Sequence, residues 1–496
     1  MVSILNKILI LIAALLIIFI AGILLLRKLS TARAKICYSI IGCLVLALVA
    51  AGLFIDLQRE KKPAAEPSSQ NIQDRREKER NMDMIMWYDI DYTKNGWDDL
   101  YPGHPGAVTA NGRYRSTTPL LGLYDQREPE TARQHLYWME ALGCNVITLD
   151  WTNYNIWHDP SYEFNYNRYV YVNSEVLLET AQATTDFDAP KIYVTVRMMG
   201  EDTELLKESV DDVYQLYEQF KEQWYFLDDG TADADKPFLV IFADHPYLTK
   251  IQKGELPYQD ERFNIRWSNG FLSYTEDENG IHRIPGETPL WIFVEKERED
   301  NGYYEVFCKD SPQGGVEQMF ACVVGNCDPE SGESDPMNHI IDGKTTFERH
   351  LRMVKELQPQ ALLVLRFNYA KAWKEEPQEG ISLYESSHIE PNEDFGFLVF
   401  NNVMKNLYDL NDWTPAPPEL SQIDFNEDGS IVLALDSFPL EYRISHSETM
   451  DGAEWNYLNV NTWISVPAEF SGETFYLQTR NAFGESNIFP ITINKE

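Results

Sequence analysis

Asn145-Val-Ile-Thr-Leu-Asp-Trp151 and Lys191-Ile-Tyr-Val-Thr-Val-Arg197 are the stretches whose reading decides the fold. Each is short, almost wholly apolar on both faces, and ends on a polar or aromatic residue. A strand apolar on both faces belongs to a buried parallel sheet. Six further runs share the pattern: Ile85-Met-Trp-Tyr-Asp-Ile90, Phe238-Leu-Val-Ile-Phe-Ala-Asp244, Phe263-Asn-Ile-Arg-Trp267, Leu290-Trp-Ile-Phe-Val-Glu295, Val316-Glu-Gln-Met-Phe-Ala-Cys-Val-Val324 and Ala361-Leu-Leu-Val-Leu-Arg-Phe-Asn368. Eight such runs, separated mainly by helix-like or loop-like stretches, predict an α/β fold of the (β/α)8 TIM-barrel type. In that fold the chemistry sits at the C-terminal strand ends. Here those ends carry Asp89, Asp150, Arg197, Asp244, Glu295 and Asn368.

The chain has 496 residues, enough for two or three units, and its hydrophobic content of 44% permits a sizeable core. A net charge of -36 argues against nucleic acid as a partner, because one polyanion repels another. The six cysteines show no CxxC metal pattern, and no metal or cofactor is expected. Cys322 and Cys327 are close enough in sequence to bridge, or to be buried thiols.

Ile8 to Leu26 and Ile36 to Ile55 are apolar runs of bilayer-spanning length, which predicts a transmembrane hairpin over 1–57. The short loop between them holds Arg27, Lys28, Arg33 and Lys35. Lys7, Arg59, Lys61 and Lys62 oppose these in equal number, but the loop is denser in charge. The expectation is therefore a cell-membrane protein with its globular part outside the cytoplasm. Residues 58–82 read as a charged linker and 83–412 as the barrel. After Thr414-Pro-Ala-Pro-Pro418, short alternating segments predict a small β-sandwich over 419–496. They are Ile431 to Leu435, Glu441 to Ile444, Thr462 to Val466, Thr474 to Arg480 and Phe489 to Ile493. Tyr476-Leu-Gln-Thr-Arg-Asn-Ala-Phe-Gly-Glu485 resembles the last hairpin of a fibronectin type III or immunoglobulin-like module.

Thr118-Pro-Leu-Leu-Gly-Leu-Tyr-Asp-Gln-Arg-Glu-Pro-Glu-Thr-Ala-Arg-Gln-His135 resembles the opening of the barrels of glycoside hydrolase families 71 and 99. Val146 to Trp151, Lys236 to Ile241, Lys344 to His350 and Ser387 to Gly396 resemble further segments of those families, in order and spacing. The resemblance implies a glycosidase-like barrel, a glycan or polysaccharide ligand, and functional roles for Tyr124 and Asp125. Asn368 matches the Asn of the families' NEW motif, whereas Tyr369 stands where their active-site Glu would be.

Glycoside cleavage needs two carboxyl groups, one of them protonated. The candidate catalytic residues are Glu295, Asp150 and Glu385. Glu295 ends an apolar strand and is either an acid or a salt-bridge partner of Arg197 or Arg266. Glu390, before Pro391, reads as structural. Asp89, Tyr124, Asp125, Trp151, Arg197, Asn368 and Tyr369 are the candidate substrate contacts, with Trp151 as a stacking ring beside Asp150. Three functions remain open: a membrane-anchored glycoside hydrolase, a non-catalytic carbohydrate-binding or cell-envelope scaffold, or a cytoplasm-facing barrel of unrelated chemistry, since the basic residues on the two sides of the spans are equal in number.

Overall fold

A computed structural model describes residues 82–92, 118–155, 166–243, 245–269, 281–293, 306–322, 344–369, 388–393 and nearly all of 395–492, with short pieces between. Both predicted membrane spans and the linker lie outside the described residues. Among the described residues, no helix is long and apolar enough to cross a membrane.

All eight predicted runs contain strands. They are β1 (Asp83–Asp89), β2 (Val146–Trp151), β3 (Lys191–Met198), β4 (Phe238–Ala243), β5 (Asn264–Asn269), β6 (Leu290–Ile292), β7 (Val316–Cys322) and β8 (Ala361–Leu365). They pair in parallel in the order β7-β8-β1-β2-β3-β4-β5-β6. The two ends of this order meet through a side chain. The Gln318 Oε1 accepts from the Ile292 amide at 2.8 Å, and its Nε2 donates to the Ile292 carbonyl at 3.1 Å. Gln318 is fully buried, so this amide satisfies backbone groups that water cannot reach. The sheet is a nearly closed barrel.

Helices α1 (Pro129–Leu142), α2 (Tyr166–Ala183), α3 (Thr203–Gln219), α4 (His245–Gln252), α5 (Thr346–Leu357) and α6 (Leu398–Leu410) follow β1, β2, β3, β4, β7 and β8. The expected alternation changes after β5 and β6. There the described elements are strands at 275–276, 281–284 and 306–310, the last antiparallel to β7. Glu276-Asp-Glu-Asn-Gly280 is turn chemistry between them, which breaks helical periodicity.

Pro129 opens α1, where its missing amide proton costs nothing. Gly143 closes it in the left-handed region, φ 88°. A Cβ at Gly143 would run into the Trp413 ring. On β1, Trp87 and Asp89 face the barrel lumen and Tyr88 faces the helices. Trp87 stacks on Phe293, which follows β6 across the lumen, at 4.4 Å, while Tyr88 meets His135 of α1. On β2 and β3, Thr148 bonds Thr195 at 2.8 Å, and Tyr193 touches Trp291 of β6, so this parity also faces inward.

Toward the N-terminal ends of the strands the lumen holds a buried ion cluster. Arg266 donates to Glu317 at 2.8 Å and to Asp229 at 2.6 Å, and the Trp291 indole donates to Glu317 at 2.6 Å. Burial pushes the Asp229 carboxyl up. Hydrogen bonds from Thr231, and then from Arg266 and Asn264, outweigh it and hold the group at about 2.

Four of the five predicted C-terminal segments contain strands, at 431–432, 441–445, 474–481 and 489–492. Thr462 to Val466 contributes one bridge, Ile464 to Ile431, while 456–457 pairs with 441–445 instead. Leu433, Leu458, Ile464, Phe475, Leu477 and Ile491 form a small core of their own. This region also seats on α1. Gln134 bonds the Leu458 carbonyl and Val460 amide, and Tyr137 donates to the Pro439 carbonyl at 2.8 Å. Residues from Ser68 onward accordingly form one compact unit.

Two stability predictions follow from these contacts. Gly143→Ala should cost more than Gly200→Ala in urea unfolding, by about 2 kcal/mol, since both have positive φ but only Gly143 also faces a ring. Equal losses would contradict the packing. Asp229 is held below its unfolded value near 3.9, so its contribution is full above about pH 4 and fades as pH falls toward 2. Asp229→Asn should flatten that acid limb, and an unchanged slope would exclude the cluster from acid stability.

Candidate functional site

The β1–β2 register places Asp89 directly beside Asp150. Residues paired in a parallel ladder share a face, so both carboxylates project from the lumen side at the C-terminal end. Asp89 is buried and Asp150 half-buried. Asp150 Oδ1 accepts from the Thr152 amide at 2.8 Å and the Thr152 hydroxyl at 2.6 Å. Beneath the two carboxylates lies an aromatic floor. Trp87 packs on Phe293, and Phe293 on Phe242 at 5.6 Å. Arg197 covers Phe242 at 5.4 Å, and Arg366 lies 4.1 Å from the Tyr369 ring and 5.8 Å from Trp87 and Phe293.

Behind β1 sits a dry polar network. Tyr88 Oη lies 2.7 Å from His135 Nδ1, and His135 Nε2 lies 2.8 Å from Glu390 Oε1. Burial, and then the Glu390 charge, push the Tyr124 phenol well up, and burial does the same to Tyr88. Both phenols therefore stay protonated and act as donors. Tyr88 donates to Nδ1, which leaves the Nε2 proton of His135 facing the carboxylate. Tyr124 donates to Glu390 Oε2 at 3.2 Å.

The network reaches the mouth through Asn368. Its Oδ1 accepts from the Asp89 amide and its Nδ2 donates to the Asp89 carbonyl, both at 2.9 Å. Nδ2 also lies 3.3 Å from the Tyr124 hydroxyl. Past β8 the Phe367 amide still donates to the Trp87 carbonyl at 2.9 Å, and the Asn368 side chain carries the pairing with β1 on to Asp89. Tyr92 donates to the Asn368 carbonyl, and Gln126 holds the Tyr92 amide and the Asp89 carbonyl.

Several expected substrate contacts are placed differently. Trp151 is fully buried on the helix side of β2, with its indole donating to Ser174 and one face on Tyr154. It is therefore not a stacking ring in the lumen, because alternation turns it away from Asp150. Asn368 and Tyr124 serve the site from behind, their polar atoms engaged by Asp89 and Glu390. Asp125 faces Arg127, accepting from its amide at 3.0 Å and its Nε at 2.8 Å in a turn before α1. Arg266, an expected alternative partner of Glu295, is held by Asp229 and Glu317. Arg197 faces the lumen, and Tyr369 packs on Arg366. Glu385 begins a short strand paired with Gly325–Cys327. Glu295 and Asp244 lie outside the described residues. Cys322 is a buried thiol without a disulfide. Among the described residues no cluster of His, Cys, Asp and Glu could hold a metal ion.

His135, Tyr88 and Trp87 were not read as site residues from sequence. The signal for Tyr88 and Trp87 was strand alternation on either side of Asp89. His135 ended the stretch that carried the family resemblance.

No family model and no curated protein sequence matches the chain. Among solved structures, it is similar to a family 99 glycoside hydrolase endo-α-mannosidase from Bacteroides thetaiotaomicron. The identity is 13% and the TM-score 0.37, covering 66% of this chain and 97% of that one. The same enzyme in complex with BIS-TRIS-propane matches at 11% identity and TM-score 0.36, covering 67% and 98%. A glycoside hydrolase-like protein matches at 9% and 0.37, covering 66% and 94%.

Glu390→Ala should destabilise the protein by about 3–5 kcal/mol, because it strips a buried acceptor from His135 and Tyr124. Glu390→Gln keeps the shape and part of the bonding and should cost less. Chemical unfolding of both variants checks this, and a loss under about 1 kcal/mol for Ala would contradict the network's role.

Proposed function

We propose that the protein is a glycoside hydrolase-like enzyme acting on a glycan or polysaccharide outside the cytoplasm, tethered to the membrane by its N-terminal apolar runs. The observation that carries this reading is the register pairing of Asp89 with Asp150 at the lumen face of the barrel's C-terminal end. Two adjacent carboxylates are what hydrolysis of an acetal requires, one to donate a proton and one to stay charged. The aromatic floor and Arg197 beside them suit a ligand with apolar ring faces and many hydroxyls. The sequence resemblance to families 71 and 99 supports the same substrate class. Glu295, two positions after Phe293, and Glu385 stay in the proposal as further carboxylates. The C-terminal β-structure, packed on α1, is proposed as a fibronectin type III or immunoglobulin-like module.

One feature favours a second reading. Tyr369 occupies the position of the family Glu and is covered by Arg366, an arrangement compatible with a barrel that binds a glycan without cleaving it.

A panel of α- and β-linked oligosaccharides, scored for reducing-end release and for binding, decides between the two. The enzyme reading expects release, with losses of about 100-fold or more in Asp150→Asn and Glu295→Gln. Binding without release in wild type selects the scaffold reading, and neither binding nor release rejects both.

A further inference from the structure

We propose that the indole N–H of Trp87 is a specificity-determining donor, which binds one hydroxyl oxygen of a hexose unit seated over the aromatic floor. This rests on the glycan reading above and holds whether the glycan is cleaved or only bound.

Strand parity places the residue. The ladder partner of Trp87 on β2 is Thr148, and Thr148 bonds Thr195 of β3 at 2.8 Å. Trp87 and Thr148 therefore share the lumen face. Asp89 and Asp150 pair two residues further along the same two strands, one level nearer the mouth. Trp87 is 2% exposed, and its ring packs on Phe293 with centroids 4.4 Å apart and planes inclined by 32°. That contact lies between ring faces, whereas the N–H projects in the plane of the indole from its edge.

The N–H has no acceptor. Trp87 Nε1 is buried and without a hydrogen-bond partner among the described residues. In the unfolded chain water accepts from it, so folding forfeits a bond and returns none. A buried indole usually finds a partner. Elsewhere in this barrel one is supplied. Trp291, deeper in the lumen, donates to Glu317 at 2.6 Å, Trp224 to the Phe238 carbonyl at 3.1 Å and Trp151 to Ser174 at 2.9 Å. Trp138 also lacks an acceptor, but it lies on α1 among Phe397, Phe400 and Tyr457, away from the lumen. Trp87 alone of these combines an unpaired donor with the level just beneath the mouth.

The ligand chemistry follows from the group itself. An indole N–H only donates, so it reads an oxygen and not an amine. It carries no net charge and makes a single bond, which matches one hydroxyl oxygen; carboxylates and phosphates call for cations or several donors. Phe293 and, beyond it, Phe242 at 5.6 Å offer apolar surface to the C–H groups of the same ring. A sugar with a hydroxyl over Trp87 recovers the forfeited bond. One without it leaves the donor unpaired and binds less well, so Trp87 distinguishes sugars at one ring position.

The test uses the full chain and the methyl glycosides of glucose, mannose and galactose in both anomers, each with its full set of monodeoxy congeners. Dissociation constants are measured for wild type, for Trp87→Phe and for a protein carrying benzothienylalanine at position 87. In that last residue sulfur replaces the N–H and the shape is kept. Wild type should bind at least one parent glycoside, and one of its congeners about 10-fold more weakly. Both variants should bind that parent about 10-fold more weakly than wild type does, and should no longer distinguish it from that congener. The benzothienyl protein should melt at the wild-type temperature, because the N–H supports no bond in the fold. It decides the matter alone if Trp87→Phe does not fold. A lower melting temperature with unchanged binding makes the N–H structural and overturns the proposal. Losses under about 2-fold overturn it too, as do equal losses on the parent and every congener, which report lost packing. So does a wild type that binds every congener as well as its parent. In each of these cases binding by wild type leaves the glycan reading standing. Failure of wild type to bind any of the glycosides rejects the proposal, and the oligosaccharide panel above then decides the glycan reading separately.

Discussion

The buried pair His135–Glu390 is the contact on which the rest of the site depends. It lies outside the lumen, yet it fixes the lumen's geometry. Glu390 arrives on the chain after β8 and His135 on α1. Their bond, with Tyr88 on one side and Tyr124 on the other, ties both elements to the end of β1. A carboxylate in so dry a place is tolerable only when its donors are all in position. The site is therefore stiff at Asp89, where the network ends.

The same logic links the C-terminal β-structure to the mouth. Gln134 and Tyr137, flanking His135 on α1, bond to its backbone at Leu458, Val460 and Pro439. A helix held on one side by the barrel and on the other by this sheet has little freedom to tilt. The C-terminal region thus acts as a buttress for the residue that anchors Glu390.

Much of the barrel was legible in the sequence because its physics is local. A strand buried on both faces must be apolar throughout, and eight such runs stand out in any composition. The closure of the seam by Gln318 was not legible, since one amide at a polar position in a strand looks like any other. Strand insertions after β5 and β6 escaped for the opposite reason, being short and polar. Asp89 and Asp150 stood out as candidates because strand ends are where barrels place chemistry, and the β1–β2 register sets them side by side. The parity of neighbours decided the rest. Trp151, next to Asp150, points the other way, and Tyr88, next to Asp89, belongs to the network behind. Asn368 was marked by its resemblance to a motif, but its task is set by backbone groups that no sequence displays. Glu390 read as structural, and it is fully buried in the network.

The central claim is that Asp89 and Asp150, brought together by strand register, act as a closely spaced pair on a glycosidic bond. The most direct test is the configuration of the product at the moment of release, followed by proton NMR of the anomeric signal during cleavage of a dinitrophenyl hexoside. A pair on adjacent strands predicts that the first anomer to accumulate has the configuration of the substrate, with the other appearing only by mutarotation. Initial accumulation of the opposite anomer would place the reacting carboxylates farther apart than β1 and β2 allow and would contradict the account.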